Sequence, residues 1–194
     1  MWEKIQSFFE VTTDIAIKLL ALYGIWSIIR RIFIRPRLSV YLENNKTYHK
    51  VRDVDVNKMG NFVHVTVRNK GCLEAKNCQG SLINIEQIDS NDTFCSHPGF
   101  RGLVVLKWSG EGDFGPRNIG HKLSRELDVC YVHEGINTLH AFTQKFPRGI
   151  QTDFPPGTYR FTIMVSGENI RAITERYIIH WDGNWENLTI ELGQ

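Results

Sequence analysis

At Arg35-Pro36-Arg37 the hydrophobic pattern changes period, and this change limits what the chain can build. Ahead of the proline, Ile15 to Ile34 reads IAIKLLALYGIWSIIRRIFI, a run of 20 residues. At about 1.5 Å of rise per residue, a helix of this length matches the hydrocarbon thickness of a bilayer. Beyond the proline, apolar residues alternate with polar ones: Val63, Val65 and Val67 interleave with His64, Thr66 and Arg68, as in a strand with one face turned inward. Proline cannot continue the helix across this boundary. The sequence therefore predicts a membrane-anchor helix with a basic juxtamembrane segment over residues 1–37, and a β domain over 38–194.

The anchor's apolar side chains are Leu19, Leu20, Leu22, Ile25, Trp26, Ile28 and Ile29, and its uninterrupted apolar stretch, Leu19 to Ile29, is 11 residues long. A single-pass span thus requires Lys18 and Arg30 to snorkel toward opposite faces, so the helix is expected to be either transmembrane or membrane-interfacial. No basic region precedes the run and no small-residue cleavage site follows it, which argues for retention over removal as a signal peptide. Arg30, Arg31, Arg35 and Arg37 all follow the run. The positive-inside rule then puts the β domain in the cytoplasm, where Cys72, Cys78, Cys95 and Cys130 are expected to be free thiols. Ahead of the run, Glu10, Asp14 and Lys18 recur every four residues and share one helical face. This stripe either faces water or packs against neighbouring helices in a homo-oligomer.

Residues 1–37 hold six Lys or Arg against three acids, and the remainder holds seventeen against eighteen. The basic excess belongs to the anchor, and a nearly neutral body lacks the concentrated basic face that nucleic acid requires. In the body, eight segments are rich in β-branched and aromatic residues: Leu38 to Leu42, Phe62 to Arg68, Ser81 to Ile85, Val104 to Trp108, Leu127 to Val132, Thr138 to Phe142, Tyr159 to Val165 and Ile173 to Trp181. Turn sequences such as Asn69-Lys70-Gly71, Pro155-Pro156-Gly157 and Asp182-Gly183-Asn184 separate them. About eight strands without a long amphipathic helix predict a mainly β fold, an antiparallel immunoglobulin-like β-sandwich, with a small closed barrel as the alternative. Tyr159 follows its turn as the tyrosine of a tyrosine corner does, although Phe161 stands where an immunoglobulin cysteine would be.

The segments VRNKGCLEAKNCQGSL, VVLKW, PPGTYRFTIMVSGEN and IIHWDGNW resemble a loosely defined set of prokaryotic membrane-anchored proteins of unknown function, each with one immunoglobulin-like sandwich after an N-terminal helix. The resemblance covers most of the chain, rests on turns and core positions, and implies fold and anchoring without an activity.

Chemistry-bearing patterns are scarce. The seven histidines show no paired ligand spacing, and Cys72 and Cys78 are too widely separated for a zinc knuckle and have no second pair. The stretch from Gly110 to Gly115 lacks the Lys and Ser/Thr of a phosphate loop, and Cys95-Ser96-His97 reads as a polar loop. No catalytic residue, metal ligand or cofactor is expected. Trp181 and Trp185, flanking Asp-Gly-Asn, either close one end of the core or offer indoles for recognition. The expected function is a membrane-tethered, non-enzymatic recognition module whose partners are the lipid bilayer and another protein or small ligand. Two alternatives are an oligomerising membrane effector built on the polar stripe and a hydrolase whose histidine and carboxylate meet only in space.

Overall fold

A computed structural model describes residues 17–29, 35–44, 47–54, 56–89, 91–143 and 150–193. The chain divides into two units, Met1–Arg35 and Pro36–Gln194. This boundary falls two residues before the one expected, for a local reason. The Arg37 N–H donates to Asn69 Oδ1 at 3.2 Å, and the Arg37 carbonyl accepts from the Lys70 N–H at 2.7 Å, so Arg37 folds with the body.

In the first unit a helix, α1, covers residues 17–29. Its apolar side chains are exposed, from 39% at Ile29 to 70% at Leu20. Among the described residues no helix is long and apolar enough to cross a membrane. The helix described here is about 20 Å long, against roughly 30 Å of hydrocarbon. Glu10, Asp14, Arg30 and Arg31 lie outside the described residues, Lys18 stands on α1, and Arg35 and Arg37 are exposed.

The second unit is mainly β, with thirteen strands in two antiparallel sheets among its described residues. The first sheet contains β1 (Leu38–Tyr41), β2 (Tyr48–Asp53), β3 (Lys58–Asn69), β8 (Ser124–His133), β9 (Leu139–Ala141) and β10 (Asp153–Phe154). Its order is β1-β3-β8-β9-β10, with β2 paired to the other end of β3. The second contains β4 (Ala75–Ile88), β5 (Phe94–Ser96), β6 (Val104–Val105), β7 (Arg117–Ile119), β11 (Gly157–Ser166), β12 (Ile173–Trp181) and β13 (Thr189–Leu192). Its order is β13-β12-β11-β4-β5, and β6 and β7 also pair with β4. Each of the eight segments expected from patterning contains a strand. The five strands missed, β2, β5, β7, β10 and β13, are short or polar and carry weak apolar patterns.

Both sheets contribute to one core: Val63, Val65, Val67 and Leu127 from the first meet Leu82, Ile85, Phe161 and Ile163 from the second. Leu127 lies directly over Gly80, where a methyl group would collide with the Leu127 side chain. Two tyrosines tie loops and edges to the sheets. The Tyr159 hydroxyl donates to the Pro155 carbonyl at 2.8 Å, pinning the turn that enters β11. The Tyr48 hydroxyl donates to the Ile190 carbonyl and accepts from the Ile190 N–H at 2.8 Å, so a residue of β2 occupies the open edge of β13. All four cysteines are unpaired. Burial, with a smaller contribution from Glu74, pushes the Cys78 thiol up to about 11, and burial pushes Cys130 up as well.

Two outcomes follow from this packing. Gly80→Ala should lower stability by about 1–3 kcal/mol in chemical denaturation, the usual cost of overfilling a packed core. The buried thiols are neutral when protonated and ionise more readily once unfolded, so the stability they contribute is complete below the ordinary thiol value of 9.0 and falls as pH rises toward about 11. The denaturation midpoint should decline across that interval, and decline less in Cys78→Ala.

Candidate functional site

Alternation along β3 sends Val63, Val65 and Val67 into the core and therefore Phe62, His64 and Thr66 to the opposite face of the first sheet. Strand register then decides what these residues meet. His49 pairs with Phe62, Phe62 with Tyr131, Tyr131 with His140, and His140 with Asp153, one row crossing five strands. Directly opposed residues share a face, and here they form a ladder of rings. Phe62 and Tyr131 stack with centroids 5.5 Å apart, and Tyr131 and His140 stack at 5.0 Å. Phe142 meets the Tyr131 ring edge-on at 5.2 Å, and His133 meets it at 5.1 Å.

Three histidines on this face are each held by a carboxylate. His140 Nδ1 lies 2.8 Å from Asp153 Oδ1, and His133 Nε2 lies 2.9 Å from Asp53 Oδ2. The third pair depends on a β-bulge. Val63 pairs with Cys130 but His64 pairs with Asp128, so Val129 is an extra residue in β8. Without it Val129 would oppose His64. With it, Val129 and Cys130 both enter the core, and Asp128 turns outward with its Oδ1 2.6 Å from His64 Nδ1.

His64 is 5% exposed and Asp128 is equally buried. An ionised carboxylate only accepts hydrogen bonds, so Nδ1 carries the proton, and in the neutral ring Nε2 is an acceptor. Nε2 is buried and has no hydrogen-bond partner among the described residues. The ring lines a cavity of about 200 Å³ whose walls include Val51, Phe62 and Phe142, with Ser109 at the same cavity. Burial, then the charges of Asp153 and Asp53, raise the Tyr131 phenol above its ordinary value. The arrangement can orient an imidazole and present a basic nitrogen. His64 Nε2 is not bonded to the Ser109 hydroxyl, although both residues line the cavity. Among the described residues no group of three or more His, Cys, Asp or Glu is placed to hold a metal ion.

The tryptophans singled out from the sequence lie elsewhere. Trp181 is 3% exposed and belongs to the core, its indole N–H donating to the Asn184 carbonyl at 3.2 Å. It therefore closes one end of the core, the first of the two readings given for it. Trp185 begins a short 3-10 helix and packs partly buried against the core, with the Lys50 ammonium 5.7 Å from its ring. What sequence reasoning missed was the coincidence of His49, His64, His133 and His140, four of the seven histidines, on one face. Their outward strand positions were a signal, but His49 needed β2 to be seen.

No family model matches the chain, and neither a curated protein nor a solved structure matches it. The site's internal logic can be checked directly: a double-mutant cycle of His64→Ala and Asp128→Ala should give a coupling energy of about 1–3 kcal/mol, as expected for a buried charge-assisted hydrogen bond.

Proposed function

We propose that the protein is a membrane-tethered, non-enzymatic recognition module, and that the outer face of its first sheet is the surface that contacts another protein or a small ligand. The observation that carries this reading is the ladder His49–Phe62–Tyr131–His140, half-buried rings on a sheet face turned away from the core. Aromatic residues are enriched at contact surfaces because a large apolar body and a polar edge occur in one rigid side chain.

The body is read as an immunoglobulin-like sandwich. In support, β1, β3 and β8 are neighbours in one sheet and β12, β11 and β4 in the other, as strands A, B, E and G, F, C are in that fold. The Tyr159–Pro155 hydrogen bond supplies the tyrosine-corner contact. The resemblance to prokaryotic membrane-anchored sandwich proteins belongs to the same proposal. Tethering draws support from α1, since a helix with exposed apolar side chains all round is suited to lipid or to other helices. In this reading the anchor passes once through the membrane or lies on it, and the body stands on the cytoplasmic side.

A second reading, a hydrolase, gains from one observation, the buried His64–Asp128 pair beside a cavity that Ser109 also lines. Ester turnover by the full chain that disappears in Ser109→Ala would favour it over recognition.

Two measurements check the leading reading. A photo-crosslinker at Val51, beside the ladder, should yield an adduct in host membranes that the same group at Leu192, exposed on β13, does not. Equal labelling at both positions, or none at Val51, removes the support for this face. In sealed vesicles, protease should digest the body only when the cytoplasmic side faces outward.

A further inference from the structure

We propose that the cavity beside His64 binds a neutral aromatic ring bearing a hydroxyl, a phenol-class group, whose O–H donates to His64 Nε2. The proposal rests on the outer face being a recognition surface and names the chemistry of its anchor point. Four features of the cavity select this ligand. The first is an unmet acceptor: with Nδ1 engaged by Asp128, Nε2 is buried without a partner, so a ligand reaches it by displacing a neighbouring side chain such as His49, whose ring lies 4.6 Å from that of His64. A buried polar group left unpaired is destabilising, so a ligand that supplies a donor gains more there than at a solvated nitrogen.

The second feature is size. An apolar protein cavity of about 150 Å³ holds benzene, so the cavity of about 200 Å³ here has room for one ring and a small substituent. The third is its walls, since Phe62, Phe142 and Val51 offer apolar and aromatic surface.

The fourth is charge. Asp128 lines the cavity and opposes an anion, which disfavours carboxylates and phosphates. The Lys107 ammonium lies 5.7 Å from the Phe142 ring centroid and already occupies a cation position on that ring. A neutral donor remains. Among neutral donors, a phenol combines an acidic O–H with a flat apolar body.

The same group occurs in free phenols and in the tyrosine side chain of a peptide, and the experiment separates these sources. The full 194-residue chain, labelled with nitrogen-15 at histidine, is titrated in detergent micelles with phenol, fluorobenzene and a short peptide with a central tyrosine, at matched free aqueous concentrations. Phenol should move the His64 Nε2 resonance and bind about tenfold more tightly than fluorobenzene, the equivalent of one hydrogen bond. A shift with phenol alone assigns the site to small phenols, and a shift with the peptide as well assigns it to tyrosyl groups. His64→Phe should bind phenol and fluorobenzene equally. The wild-type nitrogen signal gives the answer even if that variant does not fold. An Nε2 resonance unmoved by phenol and peptide, or fluorobenzene binding as tightly as phenol, overturns the proposal. Phenol binding without any adduct at Val51 would overturn the wider recognition reading and leave this one standing.

Discussion

A single extra residue in β8 determines how the first sheet presents its chemistry. Regular alternation on both β3 and β8 cannot keep Phe62 opposite Tyr131 and also place a carboxylate opposite His64, because those positions on β8 are three residues apart. The bulge at Val129 resolves the conflict by turning two consecutive side chains, Val129 and Cys130, into the core. Everything on the outer face then follows in register: the ring ladder on one side of the bulge and the buried imidazole–carboxylate pair on the other. Bulges commonly re-aim side chains beside functional sites, and this one does so between two apolar residues that the core can absorb.

How much of this was legible in the sequence depends on which forces write a pattern. Val63, Val65 and Val67 announce β3 because burial of alternate residues leaves a period of two. The Asn69-Lys70-Gly71 and Asp182-Gly183-Asn184 turns announce themselves through residues that tolerate tight backbone geometry. β2, with the sequence YHKVRD, announces nothing, since four of its six residues are exposed on an edge and no core demands a pattern from them. It nevertheless carries His49, Val51 and Asp53 of the candidate site. The bulge left only a faint trace, the adjacent apolar pair Val129-Cys130, and cross-strand pairing is a long-range fact that a linear scan does not contain. Trp181 shows a related limit, since an indole beside a hairpin suits core packing as well as recognition and its type alone does not decide between them.

The charged groups of the two sheets are organised differently. On the second sheet Arg160 engages Glu86 through two nitrogens, each 2.7 Å from a carboxylate oxygen, while its guanidinium lies 4.3 Å from the Phe94 ring centroid. Arg117 of β7 and Arg125 of β8 share Glu111, a network that links the two sheets. These are permanent ion pairs that fix local geometry. On the first sheet Asp53, Asp128 and Asp153 each face an imidazole instead, a ring that can accept as well as donate.

The Tyr48 hydroxyl bond to Ile190 also bears on how the fold is reached in time. These residues are 142 apart in sequence. Loop closure over such a span carries an entropic cost that grows with length, and the contact is gained when β2 and β13 are brought together by their sheets. Until then the Ile190 N–H and carbonyl are open to any other extended strand. An extended strand reaching this edge would compete with one tyrosine hydroxyl for both backbone groups of Ile190.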